Sequence, residues 1–184
     1  MESTDDLVGL VEAWVIDVVR RSSLRESVFF LCVAYDGDEA DSFPRPMPAV
    51  GLDSERREGD FAKRLLATIE KWKEKGDGLK ADWYNPANYA NYEVPTMGAL
   101  EKPSFLADPN ALHLVSDWYS FYVEVARRLS SHDWNDCLQT TDDFVVFATD
   151  IHMDKWEESF RANVAPGLRR RLWEGGWVPK SVVD

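Results

Sequence analysis

The sequence predicts an α+β domain: a central, mostly antiparallel sheet with helices packed on it. Two apolar runs and the helical periodicity around them carry that prediction. Residues 28–35 (Val-Phe-Phe-Leu-Cys-Val-Ala-Tyr) are eight consecutive apolar residues, rich in aromatic and β-branched types, and the turn signal Asp36-Gly37-Asp38 closes them. That length and composition suit a strand buried on both faces. Residues 144–149 (Phe-Val-Val-Phe-Ala-Thr) have the same character and are expected to form the other central strand. Between and around these runs, apolar residues recur at three- and four-residue intervals, as helices lying on a sheet require.

The 184 residues suit one domain, 1–184, with a full-sized core, and 45% hydrophobic residues exclude a disordered chain. The formal net charge of -12 would repel phosphate backbones, so nucleic acid is not an expected partner. An acidic surface suits a protein that meets a basic partner, and it also serves plain solubility. Eight tryptophans are many for this length, and some are expected at a core edge or a contact surface where the indole N–H finds a partner. The two cysteines, Cys32 and Cys137, are too few for a disulfide scaffold and point to a reducing compartment. The start, Met1-Glu2-Ser3-Thr4-Asp5-Asp6, lacks the basic region of a signal peptide, and no apolar stretch approaches a membrane span. A cytoplasmic protein that does not bind membranes is expected.

Taken in order, Thr4 or Asp5 caps a first helix to about Arg21, with Leu7, Leu10, Val11, Trp14 and Val18 on its apolar face. Asp5, Asp6, Arg20 and Arg21 match the helix dipole. After the first strand, Pro44, Pro46 and Pro48 forbid a central strand. They allow either an edge strand, whose missing N–H groups face outward, or a loop. A second helix is expected over 61–75, ended by Gly76-Asp77-Gly78, and a long irregular connection over 94–109. A third major helix is expected over 110–130, with Leu112, Val115, Trp118, Tyr119, Tyr122, Val123 and Ala126 buried. Residues 131–143 read as a polar loop. Two short helices follow, 155–164 and 166–174, the second stopped by Gly175-Gly176.

Residues that could carry chemistry are few. Asp150, His152 and Asp154 would share one face if the second strand ran on that far, and two carboxylates with an imidazole could hold a metal or act as an acid–base set. The plainer reading is a polar strand exit with Asp154 capping the next helix. His132-Asp133-Trp134-Asn135-Asp136-Cys137 is the one place where a His and a Cys lie close, and a polar loop with an anchoring Trp is the expected form. Cys32 is expected as a small core residue. Arg169-Arg170-Arg171 reads as a solvated or internally paired face. No phosphate-binding glycine loop, nucleophile elbow, CxxC pair or HExxH helix occurs; this does not exclude an enzyme but removes every high-specificity signal, and no catalytic residue, metal site or cofactor is assigned.

The richest stretch is 82–92. Trp83, Tyr84, Tyr89 and Tyr92 alternate with Asn85, Asn88 and Asn91. Aromatics give contact area at low entropic cost and amides adapt their hydrogen bonds, so Trp83, Tyr84, Asn85, Asn88, Tyr89 and Tyr92 form the candidate binding surface. The other reading, that these aromatics finish the core, stays open.

The early amphipathic helix, 28–35 with its Asp36-Gly37-Asp38 turn, Ala81-Asp82-Trp83-Tyr84, the strand 144–151 and Asn163-Val164-Ala165-Pro166 resemble, over most of the chain, an uncharacterised bacterial domain family. The segments 43–48 and 95–109 depart from its pattern. Members of that family look like immunity-type proteins of bacterial toxin systems, similar in style to the SUKH group. The resemblance implies a non-catalytic protein that binds and occludes a toxin or other basic partner, and it brings no catalytic residues. The alternative is a hydrolase or metal-dependent enzyme built on Asp150, His152 and Asp154.

Overall fold

The computed structural model describes residues 3–36, 43–58, 84, 86, 103, 105 and 108–184. The expected turn beyond Asp36, the helix over 61–75 and most of the connection over 94–109 lie outside them. The described strands are β1 (Ser27–Tyr35), β2 (Pro46–Leu52) and β3 (Gln139–Asp150). The described helices are α1 (Thr4–Ser22), α2 (Asp53–Glu58), α3 (Pro109–Leu114), α4 (Trp118–Ser130), α5 (Trp156–Asn163) and α6 (Pro166–Glu174). Single 3-10 turns occupy Trp134–Asp136 and Lys180–Val182.

The fold is α+β, with a three-stranded mixed sheet in the order β2-β1-β3. β2 runs antiparallel to β1, and β3 runs parallel to it. The expectation of a mostly antiparallel sheet is therefore corrected. An apolar run tells how deeply a strand is buried and says nothing of its direction. The helices between β1 and β3 supply the long crossover that parallel pairing needs. β3 is also at one end of the described order rather than central, yet Val145 to Thr149 are buried because helices cover both faces. Its polar beginning, Gln139 to Asp143, is strand rather than the loop that its polar residues predict.

β1 is the middle strand, and every residue after Ser27 is buried. Val28, Leu31, Val33 and Tyr35 point into one core with Val50, Val146 and Ala148, covered by α1, α3 and α4. Phe29, Phe30, Cys32 and Ala34 point into a second core with Val145, Phe147, Phe160, Leu172 and Val182. Helices α5 and α6 and the C-terminal turn cover that side. Two consecutive residues, Phe29 and Phe30, share a face because the register shifts between Val28 and Phe30, as a bulge produces.

β2 takes the edge position that its prolines permit, with Pro46 and Pro48 opposite Tyr35 and Val33. Ser3, one residue before the expected cap, starts α1, its hydroxyl accepting from Asp6 N–H at 3.2 Å. The expected helix over 110–130 is two, because Asp117 interrupts it and caps α4 by accepting from the N–H groups of Tyr119 and Ser120. Tyr122 reaches across the first core, stacks on Tyr35 with centroids 4.3 Å apart, and donates to the Pro44 carbonyl. No described helix is long and apolar enough to cross a membrane.

Candidate functional site

Of the six residues predicted as a binding surface, the structure describes only Tyr84. Trp83, Asn85, Asn88, Tyr89 and Tyr92 lie outside the described residues. Tyr84 is 0% exposed in the second core, with ring centroids 5.0 Å from Phe160, 5.6 Å from Phe29 and 6.0 Å from Phe147. At this position the core-filling reading holds, and the aromatic ring is not available to a partner. Burial pushes the Tyr84 phenol well up, and the nearby Arg56 guanidinium offsets part of that.

The Asp150, His152 and Asp154 array does not form on a strand. β3 ends at Asp150, whose carboxylate accepts from the backbone N–H groups of His152 at 3.0 Å and Asp154 at 3.1 Å. The period-two argument needed the strand to run four residues further, to Asp154, and the turn replaces them. Nor does Asp154 cap α5: the cap position is Lys155, without a side-chain bond. Among the described residues, no group of His, Cys, Asp and Glu side chains converges as a metal site would.

Around His132 the expected anchored loop is present. Trp134 is 5% exposed and its Nε1–H donates to the Leu129 carbonyl at 3.0 Å, while Asp133 caps the 3-10 turn. Cys137 is held as a thiol: burial and the neighbouring Asp136 carboxylate push it up to about 11. Cys32 is buried in the second core and is likewise pushed up by desolvation. Neither has the lowered pKa of an activated nucleophile.

Two constellations remain, and sequence reasoning found neither. The first surrounds Arg56, 2% exposed on α2. Its guanidinium lies over Phe29 at 4.2 Å and over Trp177 at 4.4 Å from the ring centroids. It donates to Asp53 at 2.5 Å and to Asp143 of β3 at 2.8 Å. Burial would raise the Asp143 carboxyl, but the bonds from Arg56 and Thr141 outweigh it and hold the group below its ordinary value. This arrangement ties α2 to β3 and encloses the charge between two rings. An open cleft of about 580 Å³ lies beside it, lined by Arg57, Thr140, Asp142 and Arg171 among others. Positive and negative groups alternate there, so no single ligand charge is favoured.

The second is a pocket of about 350 Å³ beside β3, lined by His132, Trp134, Phe144, Val146, Asn163 and Leu168 among others. Its size is at the small end for a ligand site. Asn163, the last residue of α5, donates from Nδ2 to the Ser159 carbonyl at 3.0 Å. Ser159 Oγ in turn accepts the β3 N–H of Ala148 at 2.9 Å. Asn163 Oδ1 and His132 Nε2 are both buried and have no hydrogen-bond partner among the described residues. Buried polar atoms without partners are uncommon and call for an explanation. His132 and Asn163 lie in different elements, so no local motif could have joined them. The chain matches no protein-family model, no curated protein and no solved structure.

Proposed function

We propose that this chain is a non-catalytic, cytoplasmic protein-binding domain of the bacterial immunity type, which binds and occludes a basic partner such as a toxin. The observation that carries the reading is where the charges sit. On the surface, Arg20 pairs with Asp136, Arg21 with Asp17, Arg127 with Glu124, Arg128 with Asp5, and Arg170 with Glu174. Much of the positive charge is thus answered within the molecule, and the chain as a whole still carries -12. Asp142, Asp154 and Asp184 are exposed and make no ion pair among the described residues. A field of that sign attracts a basic protein and raises its rate of encounter. Trp83, Asn85, Asn88, Tyr89 and Tyr92 supply the contact chemistry in this reading, and Tyr84 supports them from the core.

The test is capture of partners by the tagged protein from lysate of its own source, at low and moderate salt, with mass spectrometry of what co-elutes. The expected result is one stoichiometric, basic partner whose retention falls with salt. A protein that captures nothing stoichiometric at low salt, or whose partner is acidic and indifferent to salt, sinks the reading.

A further inference from the structure

We propose that the carboxyl ends of β1 and β3 form a binding site for a primary ammonium group, with Tyr35 and Asp150 as its hydrogen-bonding partners. The two strands run parallel, and Tyr35 and Asp150 are their last register partners. Tyr35 lies in the first core with Val33, Val146 and Ala148. Alternation along β3 then puts Asp150, two residues after Ala148, on that same face beside Tyr35. The region beyond such strand ends is where parallel sheets commonly receive ligands. Asp117 and Tyr119 at the start of α4, and Lys155 before α5, complete the surroundings.

The residue that points to a ligand is Tyr35. It is 3% exposed and its ring stacks on Tyr122, yet its hydroxyl makes no hydrogen bond among the described residues. Tyr122, by contrast, satisfies its own hydroxyl on the Pro44 carbonyl. The Tyr35 oxygen is at the end of the ring that solvent reaches. Burial first, and then the Asp150 and Asp117 carboxylates, push the phenol well up, so both carboxylates lie within electrostatic reach of it. Asp150 has one oxygen to offer. Its Oδ1 accepts from the N–H groups of His152 and Asp154, and its Oδ2 accepts from nothing among the described residues. Both oxygens of Asp117 are taken by the α4 cap, so Asp117 contributes charge rather than a lone pair.

The groups left over are one carboxylate oxygen and one phenol oxygen. Around them Asp117, Asp150 and Glu158 outnumber Lys155 and Arg161, which selects a cation carrying hydrogen-bond donors. A guanidinium binds a carboxylate best through both oxygens, and here Oδ1 is committed to the turn. A metal ion needs more ligands, and no group of His, Cys, Asp and Glu side chains converges among the described residues. An ammonium radiates its donors from one atom and can serve two single oxygens on adjacent strands. A free amine and a protein lysine share this chemistry, and neither rests on the basic-partner reading above.

The experiment titrates the ¹⁵N-labelled protein with butylammonium chloride and with acetyl-Gly-Lys-Gly-amide, following the backbone amides of Ile151 and His152. The norleucine and arginine counterparts of the peptide are the controls. The expected result is a saturable shift with an ammonium probe, none with norleucine, and weaker binding of arginine. The tighter of the two ammonium probes assigns the source. Asp150→Asn keeps an oxygen for the turn and removes the charge, and should weaken binding about tenfold. Tyr35→Phe keeps the stacked ring and should weaken binding severalfold with an unchanged thermal midpoint, which a purely structural role would not produce. No saturable shift with either ammonium probe, equal binding of the norleucine or arginine peptide, or binding indifferent to both substitutions overturns the proposal. Ammonium binding by a protein that captures no basic partner supports the site and sinks only the reading of the whole domain.

Discussion

At the scale of single residues, Arg56 is the largest fully buried side chain among the described residues, and it is charged. A charge this deeply buried is tolerated because Asp53 and Asp143 face it and Phe29 and Trp177 enclose it. Arg56→Met should destabilise the domain by about 3–5 kcal/mol, since it strands the partly buried Asp143 without its counter-charge. Urea unfolding of the variant measures this. The pair also sets an acid limit. Asp143 has a folded pKa below its ordinary 3.8, so its contribution is fully present above that pH and is lost as pH falls below 3.8 through the folded value. Asp143→Asn should therefore flatten the fall of stability in that acid window, and unchanged acid sensitivity would show that other carboxylates govern it. Tyr84 belongs to the same neighbourhood. Tyr84→Ala should cost about 3–5 kcal/mol by leaving a cavity among Phe29, Phe147 and Phe160, and a variant with wild-type stability would return Tyr84 to the surface. In the sequence, Arg56 and Arg57 are adjacent arginines between Glu55 and Glu58. Nothing local marks which arginine is buried, because the deciding partner, Asp143, arrives from a strand 87 residues away.

At the scale of elements, β1 was legible and its pairing was not. Eight apolar residues bounded by polar ones leave little choice but a strand covered on both faces. Whether the neighbour runs parallel or antiparallel depends on the connecting chain, which an apolar pattern does not encode. The bulge at Phe29 and Phe30 was equally invisible, since it appears only when two strands are laid side by side. It has a consequence for β2. Gly51 pairs with Phe30, and a Cβ there would come within 2.2 Å of the Phe30 ring and 2.6 Å of the Phe29 ring. Gly51→Ala should cost about 1–3 kcal/mol through forced displacement of packed rings, read as a lowered urea midpoint. A neutral outcome would mean that the two rings move without penalty. The break between α3 and α4 shows the opposite case, where the signal was present and outweighed. Apolar spacing continues through Val115 and Trp118, but Asp117 is a good cap, and its two accepted backbone bonds begin a new helix.

At the scale of the whole molecule, the acidity that the sequence displays has two explanations, which predict different things. If the charge only keeps the protein dispersed, exposed carboxylates are interchangeable and their removal changes solubility alone. If it steers a basic partner, their removal slows encounter and leaves the complex, once formed, with nearly the same lifetime. Asp142 and Asp154 suit the comparison because both are exposed and neither makes an ion pair among the described residues. Converting both to Lys should lower the association rate with the captured partner severalfold at low salt, with little change in dissociation rate and none in thermal midpoint. The difference should vanish as ionic strength rises and the Debye length shrinks to about 8 Å near 0.15 M. An association rate that ignores both substitutions and salt, measured by stopped flow, would leave the charge a solubility device. The binding energy would then have to come wholly from apolar and hydrogen-bonding contacts, where salt has little reach.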